Sequence, residues 1–279
     1  MQDRARSNEL KETVKEFWEK ETCGIRYGKS SDKRMYYEET EEKRNSLEPY
    51  IPEFADFKRC KGLKVLEIGV GGGVDFYQFV NNGAIAAGID LTTAAIDHAE
   101  ERLELFGFAD DGYDLRVADA EALPFEDNYF DLVYSWGVMH HTPDTSKAFQ
   151  EAYRTLKVGG ALKAMIYHVP SLTGWMLWLR YGLLEGSPFL LPRDAIFRNL
   201  ESPGTKAYTL KEAEEMLASC GFIGINLETR LSPGDLLTID PSERYEGQGY
   251  KLIWKLYPRR LARLLGDRFG LYLLIKARK

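Results

Sequence analysis

An α/β fold built on a doubly wound, mostly parallel sheet is the class this chain predicts, and three observations predict it. Val65-Leu66-Glu67-Ile68 is a short and nearly continuous apolar run, as expected of a strand covered on both faces. It leads into Gly69-Val70-Gly71-Gly72-Gly73, where glycine lets the backbone turn sharply and approach a ligand that a side chain would strike. Two more apolar runs, residues 84–90 and 115–119, each end in an acidic residue, Asp90 and Asp119. Ligands of open α/β sheets sit at the carboxyl ends of the strands, so the three segments together predict a nucleotide-like cofactor.

The glycine turn narrows the choice of cofactor. A dinucleotide fingerprint needs glycine at its first, third and sixth positions, and here these hold Gly69, Gly71 and Val74. The third glycine serves close helix–strand packing beside a pyrophosphate, so a β-branched residue there argues against NAD or FAD. A carboxylate at Glu67 would repel a pyrophosphate and attract the cationic end of S-adenosylmethionine (SAM). On Glu67, Gly69, Gly71 and Gly73 the chain resembles the class I SAM-dependent methyltransferases, whose first motif runs acidic-x-Gly-x-Gly-x-Gly. Further segments follow in the family's order. Asp90 stands 21 positions after Gly69, and Leu115-Arg116-Val117-Ala118-Asp119-Ala120 reads as a third strand ending at Asp119. Phe130-Asp131-Leu132-Val133-Tyr134-Ser135-Trp136 reads as a fourth, followed by Gly137-Val138-Met139-His140-His141-Thr142-Pro143-Asp144. Leu156-Lys157-Val158-Gly159-Gly160 resembles the family's turn from helix to fifth strand, and the ordered matches cover roughly residues 61–167.

The resemblance implies SAM as cofactor, held by Glu67, Gly69, Gly71, Gly73, Asp90 with Leu91, Asp119 with Ala120, and Trp136. Asp90 would accept the ribose hydroxyls. In the family the third-strand aspartate contacts the adenine amine, with apolar neighbours such as Leu123 and Phe125 about the ring. It also implies a seven-stranded Rossmann-like sheet, completed by strands near residues 222–230 and 271–277 and antiparallel at that edge. Plainer readings stand beside these: Asp90 and Asp119 as helix N-caps, Leu123 and Phe125 as core, and Asp131 as a structural carboxylate.

Four zones follow along the chain. Residues 1–60 form a polar helical segment with Val14, Phe17 and Trp18 at helical spacing, which the resemblance implies to be a lid. Arg26, Tyr27 and Tyr36 are its candidate substrate contacts. Residues 61–167 are the SAM-binding half, and residues 168–206 are an apolar helical cap inserted after the fifth strand, carrying His168 and Trp175 as further substrate candidates. Residues 207–279 complete the sheet, with Thr209 and Glu212 in a capping-box pattern. Lid and cap are expected to meet over the carboxyl edge of the sheet, with Tyr27, His141 and His168 about the cavity. His140 and His141 are the candidate catalytic bases, His141 preferred, because imidazole titrates near neutrality. His98 reads as solvent-facing.

Composition sets the outer bounds. The 279 residues, 44% of them hydrophobic, suffice for one large core with additions, and the net charge of −6 disfavours nucleic acid as a partner. The three cysteines, Cys23, Cys60 and Cys220, lack metal or redox spacing and read as reduced thiols of a cytoplasmic protein. They also lack the placed cysteines on which the arsenic-methylating branch depends. No metal is expected. From Lys251 to Arg268 cations interleave with leucines, which suits a membrane surface, but Pro258 divides the stretch and two short helices packed on the sheet are the expectation. The resulting expectation is a methyltransferase acting on a small-molecule acceptor. The alternatives are an NAD-dependent oxidoreductase of related fold and a non-catalytic SAM-binding subunit.

Overall fold

The computed structural model of the chain describes residues 2–20, 22, 24–108, 112–239 and 255–279. Cys23, the side chain of Arg26 and residues 251–254 of the basic stretch lie outside what is described. Seven strands form one sheet: β1 Lys64–Ile68, β2 Ile85–Asp90, β3 Tyr113–Val117, β4 Phe130–Trp136, β5 Leu156–Tyr167, β6 Ile223–Arg230 and β7 Tyr272–Arg278. Their order is β3-β2-β1-β4-β5-β7-β6. The first five are mutually parallel, and β7 runs antiparallel to both β5 and β6.

Alternation along each strand sends side chains to two cores. Val65 joins Phe76, Phe79, Ala99 and Leu103, which come from α4 (Val74–Asn81) and α5 (Thr93–Leu105) on one face. Leu66 and Ile68 join Phe149, Ala152 and Leu217 from α6 (Thr145–Thr155) and α9 (Leu210–Ser219) on the other. Helices on both faces of a parallel sheet make the doubly wound arrangement. Three of these helices are capped by side-chain oxygens. Thr92 accepts from Ala95 N, Asp144 accepts from Lys147 N, and Thr209 with Glu212 completes the expected capping box, each worth about 1 kcal/mol.

Three sheet details differ from expectation. The antiparallel strand is not the edge strand: β7 inserts between β5 and β6. Leu273, Leu274 and Ile275 are buried, a continuous apolar run that needs cover on both faces, whereas the half-exposed β6 tolerates an edge. β3 ends at Val117, two residues short of Asp119, which lies in the following turn. The expected turn at Leu156–Gly160 is a bulge within β5, since Phe130 pairs with Leu156 but Leu132 pairs with Ala161. Gly159 (φ +81°) lets the bulge turn, and the chain end closes it through Gly159 N to Lys279 O and Lys279 N to Gly160 O.

The N-terminal segment holds α1 (Gln2–Lys20), α2 (Lys33–Leu47) and α3 (Ile51–Ala55). After β5 come α7 (Leu172–Leu177), a π-helical turn at Trp178–Leu183 and α8 (Pro192–Asn199). α10 (Arg259–Leu265) precedes β7. No helix among the described residues is long and apolar enough to cross a membrane. Asp131 takes the structural place considered for it, accepting from Lys64 N and Lys157 Nζ.

Candidate functional site

The glycine turn after β1 is shaped by what surrounds it. Gly69 (φ +83°) would bring a Cβ within 2.1 Å of Val138 Cγ2, and Gly73 (φ +72°) one within 2.8 Å of the Ala99 backbone. Neither site admits a side chain, because Val138 and the α5 backbone fill the space. Asp90, at the end of β2, reaches across to the turn: Oδ2 accepts from Gly71 N at 3.1 Å, while Oδ1 accepts from Thr92 N and Oγ1. Burial pushes its carboxyl above the usual range, against these donors. Leu91 is half-buried and Ala120 lies in the second core.

Glu67 sits beneath the turn with 3% exposure, and its Oε2 has no hydrogen-bond partner. Burial, then the nearby Asp75 and Asp90 charges, raise its carboxyl well above the ordinary value, with Arg44 opposing. Asp75 is already committed. It takes a bidentate pair from Arg44 of α2 and the Tyr134 hydroxyl at 2.7 Å. Arg44 Nε also lies 3.8 Å from Glu48, so a single guanidinium faces several acidic groups. A buried, unpartnered acceptor in an acidic surround fits a cation.

This surround predicts a stability effect. A raised carboxyl value adds stability that is complete below the ordinary glutamate value of 4.5 and is lost as pH rises through the folded-state value. Glu67→Gln is therefore expected to melt higher at neutral pH, by roughly 2–4 °C per kcal/mol recovered. Its melting temperature should also fall less from acid to neutral pH than that of the parent. Parallel pH curves for the two proteins in calorimetry would show that Glu67 is ionised and compensated.

Helix α1 lies across the carboxyl edge of the sheet. Lys11 Nζ donates to Asp119 Oδ2 and, at 2.8 Å, to Glu121 Oε2. Glu19 accepts from Ala94 N at the start of α5. Leu10 fills the space over Gly204, where an added Cβ would stand 2.9 Å from it. Trp18 sets its ring edge-on to His141 at 5.4 Å between centroids. Residues of α1 and of the segment after α8 thus meet at His141.

The two histidines differ sharply. His140 is fully buried between Tyr167 and His141, at 4.0 and 4.2 Å between rings, and neither ring nitrogen has a hydrogen-bond partner. Burial, then the neighbouring His141 and Lys206, hold its imidazole well below 6.5, so it is neutral at physiological pH. His141 Nδ1 lies 2.9 Å from Ser202 Oγ and 3.1 Å from Thr205 Oγ1. Its Nε2 is 3.4 Å from Glu201 Oε2, close enough for charge attraction but outside hydrogen-bond geometry. That same Glu201 oxygen accepts the Tyr167 hydroxyl at 2.8 Å.

Several predicted residues sit elsewhere. Tyr36 is turned into the lid itself: its hydroxyl donates to the Ile25 carbonyl and its ring packs on Tyr37 and Gly28. Tyr27 lines a surface cleft with Lys29, Glu39 and Lys43. His168 is buried with Nδ1 2.9 Å from the Gly270 carbonyl at the start of β7, and burial lowers its imidazole value against that bond. Its hydrogen bond ties the residue after β5 to the approach to β7. Trp175 is 45% exposed, edge-on to Trp178. Trp136 packs among Tyr50, Phe54 and Tyr272 and donates Nε1–H to Glu48 at 3.3 Å. His98 is half-buried beside the Tyr37 hydroxyl at 3.2 Å instead of facing solvent. Phe125 packs on Phe130 and under Arg116, and Leu123 is core.

Sequence reasoning missed Lys11, Arg44 and Glu201. Glu201 carries one retrospective signal, an acidic residue directly before Ser202-Pro203-Gly204, and it has positive φ (55°). Arg44 and Glu48 show only an i,i+4 charge pair, which reads as a solvated helix face.

Comparison with known proteins agrees with this geometry. Residues 66–164 match the family model described as a methyltransferase domain. Phosphoethanolamine N-methyltransferase 2 of Caenorhabditis elegans is 38% identical over 118 residues, 42% of this chain and 26% of that protein. Arsenite methyltransferase of Aquipseudomonas alcaligenes is 36% identical over 112 residues, 36% of this chain and 32% of that protein. The chain thus spans about a third or less of the length of these relatives. In structure, geranyl diphosphate C-methyltransferase from Streptomyces coelicolor A3(2) is similar in fold, with a TM-score of 0.61 at 19% identity over 96% of this chain and 97% of that one. With the acidic residue, glycine turn and paired aspartates all at the carboxyl edge of a seven-stranded sheet, residues 66–164 match a methyltransferase domain, and the chain has the fold of the SAM-dependent methyltransferases it resembles.

Proposed function

We propose that the protein transfers the methyl group of SAM to a small-molecule acceptor, with residues 61–167 holding the cofactor and residues 1–60 and 168–206 enclosing the acceptor. Residues 207–279 complete the sheet behind them. SAM supplies an electrophilic methyl on a sulfonium, open to in-line displacement. The observation that carries the reading is the buried Glu67 oxygen with no donor, in an acidic surround that a cationic ligand would complete. Gly69, Gly71 and Gly73 give backbone access, and Asp90 stands ready for ribose hydroxyls. Asp119, with Leu91 and Ala120 nearby, serves the adenine. Lys11 holds Asp119 in this state, so an adenine amine there takes over a carboxylate that α1 otherwise occupies.

On the acceptor side His141 acts as general base where the acceptor must lose a proton. Thr205 Oγ1 donates its own hydrogen to Ser202 O at 2.7 Å, so toward His141 it accepts. That assigns the imidazole hydrogen to Nδ1 and leaves the Nε2 lone pair as the base. A proton taken at Nε2 makes an imidazolium whose charge Glu201, 3.4 Å away, offsets. His140 is neutral and enclosed by rings, and its part is packing behind His141.

Calorimetric titration tests the cofactor half. The protein should bind SAM and its demethylated product but not NAD. Asp90→Ala should weaken SAM by about ten- to a hundredfold, from loss of a charge-assisted contact of about 1.5–3 kcal/mol. Tight NAD binding, or unchanged SAM affinity in the variant, would overturn the assignment.

A further inference from the structure

Large apolar side chains are exposed in two places that share an anchor. In the cap, Leu184 is 74%, Phe189 95% and Leu191 62% exposed. On α10, Leu261 is 56%, Leu264 83% and Leu265 39% exposed, so these leucines are not packed on the sheet as the sequence suggested. Asp235 joins the two. Its carboxylate accepts from Thr173 N and Oγ1 in α7, and its backbone carbonyl accepts the Tyr257 hydroxyl. Arg259 then donates to Leu237 O. Cap and α10 therefore leave the fold from one buried node.

The layout of α10 has a direction. Only Ala262 is buried. At about 100° per residue, Leu261, Leu264 and Leu265 share one outward arc, with Arg260 about 40° beyond Leu264 and Arg263 on the flank about 100° beyond it. A leucine arc facing water is a contact waiting for a partner, and the cations say which. Two copies meeting through this face would bring their Arg260 side chains, at its border, into one interface. An anionic bilayer instead takes the leucines at the acyl boundary and the guanidinium groups at its headgroups. The whole chain carries −6, so the attraction is local to the patch.

We propose that the protein docks on an anionic membrane surface through α10 and the adjoining apolar cap. This is independent of the methyl-transfer reading, because its test reads binding and not turnover. Co-sedimentation with phosphatidylcholine vesicles containing a quarter phosphatidylglycerol should pellet the protein at low salt. Pure phosphatidylcholine should bind it at least about tenfold more weakly, and salt should release it. The pairs Leu261→Ser/Leu264→Ser and Arg260→Glu/Arg263→Glu should each cut partitioning by about tenfold or more. These side chains point outward, so melting should match the parent. A pair that melts early is replaced by Leu261→Ala/Leu264→Ala or Arg260→Gln/Arg263→Gln, read by the same criterion. Protein left in the supernatant with anionic vesicles overturns the proposal, as do variants that pellet like the parent. So does a dimer in ultracentrifugation that the leucine pair dissolves, since a second copy then covers the face.

Discussion

Replacing His141 with alanine should lower the methylation rate by about 100- to 10,000-fold on an acceptor that must be deprotonated. SAM affinity should stay within about twofold, a difference of under 1 kcal/mol. The reasoning is geometric. Ser202 and Thr205 fix one imidazole nitrogen, leaving the other beside Glu201 where α1 meets the segment after α8. His141 is buried, so alanine also leaves a cavity under Trp18; His141→Gln keeps more of the volume and should show the same rate loss with a near-parental melt. Glu201→Gln separates the base from its support. It leaves the base in place but withdraws the charge that steadies the imidazolium, so the rate should fall less than in His141→Ala. Single-turnover rates on an acceptor panel decide the matter. Full activity of His141→Ala on every acceptor would leave proximity alone as the source of acceleration.

The glycine-turn half of the sheet was legible because its signals are local. A glycine turn, an acidic residue before it and aspartates after two apolar runs each follow from chain neighbours, and the sheet sets them side by side. β4 was placed residue for residue, since Phe130–Trp136 is apolar enough to be buried on both faces. The edge order of β6 and β7 was not legible, because it depends on which strand is covered by the rest of the molecule. The acceptor side was read least well for the same reason. Tyr36 and His168 look available in sequence, yet each spends its polar atom on a backbone carbonyl far along the chain or across a turn. Glu201 lies 60 positions from His141 and is itself the left-handed residue (φ 55°) at which the chain turns back after α8. The α10 leucines show a related limit. Periodicity reveals an apolar arc but not whether the fold turns it inward.

Arg44→Ala should be the most destabilising of these changes, costing about 3–5 kcal/mol, because removing one partner of a buried pair strands the other. The guanidinium is 12% exposed and its partner Asp75 3%. Arg44 remains firmly charged: burial works against it, but Asp75 and then Glu48 outweigh that and raise its value. Without it, Asp75 keeps only the Tyr134 hydroxyl, while burial continues to hold Glu67 and Glu48 above the usual carboxyl range. The melting temperature should drop by on the order of 10 °C. The loss should be smaller in acid, where protons replace the missing cation. Arg44→Met/Asp75→Asn removes both charges at similar volume and should recover most of the loss, as buried pairs often do when both partners go. Urea unfolding at neutral and acid pH measures each of these. A single-variant loss below about 1 kcal/mol would place the pair among solvent-screened surface bridges and remove the acidic cluster as the reason for the cationic preference at Glu67.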